Sequence, residues 1–170
     1  MKKILSALTL SLLLIQANAQ NQYEVSNEGD TKILKGIISK DLISKDSSFK
    51  WYQQNLLGFT PNAKAVAALK SKGSELEFIV FGGTWCVDTK FLLPKYYNWL
   101  EVSNFPQEKV TLIGVDRNKK TLGHLAEALG IINVPTFIVM KNGKEIGRVV
   151  EYGKYGQPDK ELGEIISAIK

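Results

Sequence analysis

A single cysteine, Cys86, occurs in the 170-residue chain, within FGGTWCVDTKFLLPKYYNWL, Phe81 to Leu100. Its candidate chemistry is nucleophilic attack by a thiolate and exchange with disulfides. Cys86 follows an apolar run and a Gly82-Gly83 pair and opens a helix-forming stretch. At such a helix start, unpaired backbone N–H groups favour negative charge. Trp85 beside it can shield the sulfur and give a partner contact area. Asp88 falls in the first helical turn, where it supports the helix terminus but repels a thiolate. Thr89, one turn on, is expected to give the sulfur a hydroxyl hydrogen bond. A dithiol site would carry its second cysteine at position 89, so Cys86 has no partner for a disulfide within the chain.

Other chemistries have less support. His124 is the only histidine, and one histidine with one cysteine gives no zinc-site pattern. No Gly-Lys-Ser/Thr follows Gly82-Gly83, so the pair is not a phosphate loop. The net charge is +5, but the lysines are spread along the chain without the clustering a nucleic-acid surface needs. Trp51, Tyr52, Tyr96, Tyr97 and Trp99 read as packing residues. No metal, cofactor or nucleic-acid partner is expected.

The chain begins MKKILSALTLSLLLIQANAQ: two lysines, an apolar run from Ile4 to Ile15, then Ala17-Asn18-Ala19. This is the pattern of a secretory leader, so residues 1–19 are expected to be cleaved and Gln20 to begin the mature chain. The run is short for a bilayer span, and no stable membrane insertion is expected after cleavage. The expected location is periplasmic or extracellular. Exported compartments are oxidising, so a lone cysteine there is either buried and inert or a reactive thiol. A Cys86–Cys86 disulfide dimer is one form it can take.

The elements that must position Cys86 follow from pattern. Residues 20–31 are polar and aperiodic and read as a loose lead-in, and Lys32–Ser39 as a short strand. Helices are expected from Asp46 to Leu57, capped by Asp46 or Ser47, and from Thr60 or Asn62 to Gly73. Phe78–Phe81 suits a strand buried on both faces. A helix from Cys86 to Leu100 contains Pro94. Then come a strand over Lys109–Asp116, a helix over Lys119–Gly130 capped by Thr121, a hairpin turning at Asn142-Gly143, and a last helix from Pro158. Helix-linked strands pair in parallel and a hairpin antiparallel, so the fold class is α/β, a mixed central sheet flanked by helices.

From about Glu75 to Lys170 this sequence resembles the thioredoxin family. Trp85, Cys86 and Lys90 match its Trp-Cys-x-x-Cys-Lys pattern, and Pro94 stands at the family's helix proline. Asn133–Gly143, NVPTFIVMKNG, matches its second signature and marks Pro135 as the cis-proline. The resemblance implies a thioredoxin-like fold over 75–170, with residues 20–74 as an N-terminal extension of a short strand and two helices packed on it. It also implies a substrate groove of Trp85, Val134, Pro135 and Thr136, with Val134 offering backbone groups to an extended partner. Two departures stand out: Thr89 replaces the resolving cysteine, and Val80 occupies the place of the family's buried acid. The Cys-x-Asp-Thr form resembles a group of exported thioredoxin-like proteins with an N-terminal helical extension. The implied function is monothiol exchange through Cys86, with Asp88 and Thr89 beside it, acting on protein or small-molecule thiols and disulfides. The alternative is a non-catalytic peptide-binding module that uses the same groove.

Overall fold

The apolar run around Phe78 forms the strand on which the rest of the molecule is built. A computed structural model describes residues 22–169, and the expected leader lies outside the described residues. Six strands form one sheet: β1 (Tyr23–Glu28), β2 (Thr31–Ile38), β3 (Leu76–Gly82), β4 (Val110–Gly114), β5 (Thr136–Lys141) and β6 (Lys144–Val150). Their order is β1-β2-β4-β3-β5-β6. β3 and β4 run parallel, and every other neighbouring pair is antiparallel. The helices are α1 (Lys40–Ser44), α2 (Trp51–Gln54), α3 (Ala63–Lys72), α4 (Val87–Val102), α5 (Leu125–Ala128) and α6 (Pro158–Ser167).

Alternation along β3 divides the core. Phe78 and Val80 pack with Leu69 of α3, Leu92, Tyr96 and Trp99 of α4, and Leu162 and Ile166 of α6. Phe81, on the other face, joins Ile113, Val115, Ile138 and Ala126 of α5. A strand covered on both faces needs apolar residues at successive positions, which is why this one reads as a continuous run. Phe78 meets Tyr96, Trp99 and Phe105 edge-on, with ring centroids 5.9, 5.9 and 5.1 Å away.

Three expected elements differ from the structure. The lead-in at 20–31 contains β1, which pairs with β2 along its whole length. Its side chains are mostly exposed, so backbone pairing holds this edge strand and no burial pattern marks it. Where a short strand and two helices were expected, residues 22–74 hold a hairpin that extends the sheet, and β2 pairs with β4. The helix expected from Asp46 to Leu57 is a 3₁₀ turn, Ser47–Phe49, followed by the four residues of α2. Asp46 caps that turn by accepting from the Ser48 N–H at 2.8 Å, Phe49 and Tyr52 are buried, and Leu57 is 82% exposed. The helix expected over Lys119–Gly130 is a 3₁₀ turn, Leu122–His124, and then α5. It breaks where Gly123 and His124 take positive φ, and Thr121 donates its hydroxyl to the Gly114 carbonyl (2.9 Å) instead of capping. Among the described residues no helix is long and apolar enough to cross a membrane.

Candidate active site

Four residues, Gly83 to Cys86, link the end of β3 to the start of α4. Gly83 donates its N–H to the Thr89 hydroxyl at 3.2 Å. A Cβ on Gly83 would lie 2.7 Å from the Trp85 indole, so a glycine lets the ring fold back over the loop. Trp85 donates its indole N–H to the Val115 carbonyl at 3.0 Å, and the Arg117 guanidinium sits 5.4 Å from its ring. Cys86 donates its N–H to the Gly83 carbonyl at 2.9 Å, which closes the turn.

Cys86 is the N-cap of α4, one position before the helix in which it was expected, with extended backbone angles (φ −79°, ψ 129°). Its side chain makes no capping bond. The thiol donates to the Val134 carbonyl, with sulfur and oxygen 3.3 Å apart. The Val134–Pro135 bond is cis. Pro135 accepts from the Glu151 N–H at 2.7 Å, so the segment after β6 is tied to the proline turn. Trp85, Cys86, Val134 and Pro135 thus converge. Cys86 is half-buried and stands at the start of a 16-residue helix.

The structure gives the other expected site residues different tasks. Thr89 is 1% exposed and accepts from Gly83; among the described residues no hydrogen bond joins it to the Cys86 sulfur. It braces the loop from beneath, so the expected hydroxyl–sulfur contact is corrected. Thr136, expected as a groove residue, is buried and donates its hydroxyl to the Asn133 carbonyl (2.7 Å), which fixes the proline turn from inside. Asp88 accepts at Oδ1 from the Tyr152 hydroxyl at 2.9 Å. That hydrogen bond first, then some burial and the Asp88 charge, hold the Tyr152 phenol above its ordinary range. Tyr152 also lies against Phe91, 6.1 Å between centroids.

Sequence reasoning missed Tyr152, Arg117 and Thr84. Tyr152 falls in the turn after β6 and Arg117 in the turn after β4, where no periodicity applies. Thr84, between Gly83 and Trp85, carries no signal of its own in the sequence. Among the described residues no three His, Cys, Asp or Glu side chains gather closely enough to hold a metal ion.

Comparison with known proteins agrees with this geometry. The thioredoxin family model matches residues 63–166. A thioredoxin of Echinococcus granulosus is 36% identical over 85 residues, covering 50% of this chain and 74% of that protein. A thioredoxin of Chlamydia pneumoniae is 32% identical over 89 residues, covering 52% and 76%. Among solved structures, an HIV epitope scaffold shares the fold at a TM-score of 0.50 and 17% identity, over 70% of this chain and 82% of its own. The chain belongs to the thioredoxin family. The family match opens at Ala63, the first residue of α3, so that helix belongs with the matched region although the sequence reading placed it in the extension.

Proposed function

We propose that this protein carries out monothiol thiol–disulfide exchange through Cys86. The observation that supports it best is the Cys86 thiol at the head of α4, facing the Val134 carbonyl beside a cis-proline. In the first step the Cys86 thiolate attacks one sulfur of a disulfide R–S–S–R. A Cys86–S–S–R bond forms, the original S–S bond breaks, and RS⁻ leaves. In the second step an external thiolate attacks the R sulfur, giving R–S–S–R′ and returning the Cys86 thiolate. Thr89 has no sulfur to do this from within, and Val80, fully buried at the place of the family's acid, cannot take a proton. The partners are protein or small-molecule thiols and disulfides. Export by the leader at 1–19 belongs to the same proposal, since an oxidising compartment supplies disulfide substrates.

A second reading draws on the apolar side chains near the thiol. Val87 is 74% exposed beside Cys86, and Ile132 is 80% exposed shortly before the proline turn. Together with the Val134 backbone they suit an extended peptide held without covalent chemistry. Mixing the full chain with a disulfide peptide separates the readings. Exchange gives a Cys86-linked adduct by mass spectrometry that small thiols reverse and Cys86→Ser abolishes. Binding alone gives an adduct-free complex that Cys86→Ser leaves intact, and that result rejects the exchange reading.

A further inference from the structure

The loop that carries Cys86 is held by a strand that the family match does not include. β2 pairs with β4 only from Gly36 to Ile38, and at Gly114 β4 ends. A Cβ on Gly114 would overlap the Leu34 carbonyl, so a glycine there lets the two backbones close up at the point where they part. Beyond it, the β2 edge at Leu34 and Lys32 faces no strand. In an antiparallel ladder, residues two apart present N–H and C=O to the same side, so these groups need another partner. Thr84 supplies it. Its hydroxyl accepts from the Leu34 N–H at 3.2 Å and donates to the Lys32 carbonyl at 2.8 Å, and the side chain is 2% exposed. One side chain of the active-site loop thus takes the rung that β4 leaves empty.

A second contact from the same hairpin reaches the next residue. Glu28, at the end of β1, pairs with Arg117, whose guanidinium lies over the Trp85 ring. Lys35 of β2 also pairs with Asp116 at 3.4 Å, which ties the turn carrying Arg117 to the hairpin. Of the loop's four residues, Gly83 and Cys86 are held from within the family-matched region, Thr84 by β2, and Trp85 by Val115 with Arg117 above it.

We infer that the β1–β2 hairpin is part of the active site, with Thr84 as a positioning residue that sets the Cys86 thiol and the Trp85 wall. This rests on the exchange reading for its substrate but not for its geometry. Thr84→Val keeps the shape and removes both hydrogen bonds, whereas Thr84→Ser keeps the hydroxyl. The reaction of Cys86 in the full chain is followed with hydroxyethyl disulfide and, across pH, with iodoacetamide. The expected result is at least a threefold slower disulfide reaction and a displaced pH profile of alkylation in Thr84→Val, with Thr84→Ser close to wild type on both. A folded Thr84→Val that reacts within threefold of wild type on an unmoved profile overturns the inference. So does a Thr84→Ser as impaired as Thr84→Val, since the hydroxyl is then not the agent. If wild type does not react with the disulfide at all, the exchange reading fails, and the alkylation profile still decides the positioning role. If Thr84→Val does not fold, Glu28→Gln decides. Release of Arg117 is expected to raise acrylamide quenching of Trp85, taken as the difference from Trp85→Phe, and unchanged quenching overturns the inference.

Discussion

The Cys86 thiol donates a hydrogen bond to the Val134 carbonyl, with 3.3 Å between sulfur and oxygen. That bond exists only while the thiol is protonated. The same carbonyl is what an extended partner would use for its own hydrogen bond. In the proposed exchange an extended partner and the Cys86 thiol share this one acceptor.

Thr89→Cys is expected to give a dithiol that turns over in an insulin-reduction assay at least tenfold faster than wild type when no small thiol is added. An intramolecular thiol acts at an effective concentration that a dilute external one does not match. The substitution also removes the acceptor of the Gly83 N–H, so a loss of about 1 kcal/mol in stability should accompany the gain. Wild-type turnover equal to the variant's without added thiol would show that resolution follows another route.

Asp88→Asn removes a negative charge from the first turn of α4 and the charged acceptor of the Tyr152 hydroxyl. Alkylation of Cys86 by iodoacetamide near neutral pH is expected to speed up by roughly three- to tenfold, with the gain shrinking as salt rises. The Tyr152 phenol, raised chiefly by the bond to Asp88, is expected to titrate lower in the variant. Difference absorbance of phenolate between Asp88→Asn and Asp88→Asn/Tyr152→Phe reads that change. Slower alkylation would mean that Asp88 assists the thiol, and the repulsion account would fall.

Asp46 gives a pH test of the extension. The hydrogen bond to Lys32, with the Ser48 bonds, holds its carboxyl down at about 2. An unfolded aspartate titrates near about 4. A depressed folded value contributes stability above the unfolded value and loses it as pH falls through the folded one. The melting-temperature difference between wild type and Asp46→Asn is therefore expected to be level above about pH 5 and to close as pH approaches about 2. A difference that persists unchanged at pH 2 would remove the Lys32 pair as its cause.

Phe78→Ala tests the core. The ring is 1% exposed and touches three aromatic neighbours. Its loss is expected to cost about 3–5 kcal/mol in urea unfolding, from lost transfer energy and the cavity left behind. A cost under about 1 kcal/mol would mean that the aromatic cluster collapses to fill the space.

Strongly patterned elements were legible in the sequence. The doubly buried β3 declares itself by an unbroken apolar run, the β5–β6 hairpin by Asn142-Gly143, and the family by Trp85-Cys86 and the Val134-Pro135-Thr136 signature. What escaped was structure made by backbone pairing or by turns. β1 buries almost nothing, so its polar sequence looks like coil. The segment over Lys119–Gly130 has helical composition, but positive φ at Gly123 and His124 divides it. At the site, residue types were readable and partners were not. Thr89 has the right chemistry to reach the sulfur, yet it meets Gly83 because the loop passes over it. Tyr152 reaches Asp88 from 64 residues away, a distance that no local pattern spans.

The pairing of β2 with β4 bears on how the molecule is made. A polypeptide trimmed to residues 63–166 would retain everything that the family match recognises and lose Gly36–Ile38 from the flank of β4. Leu112 and Ile113, each 2% exposed in the full chain, would then sit on a bare, apolar sheet border with unpaired amide and carbonyl groups. Such a border recruits strands from other molecules. The trimmed polypeptide is expected to be produced as aggregates or strand-paired oligomers, and one that keeps β2 is expected to escape this.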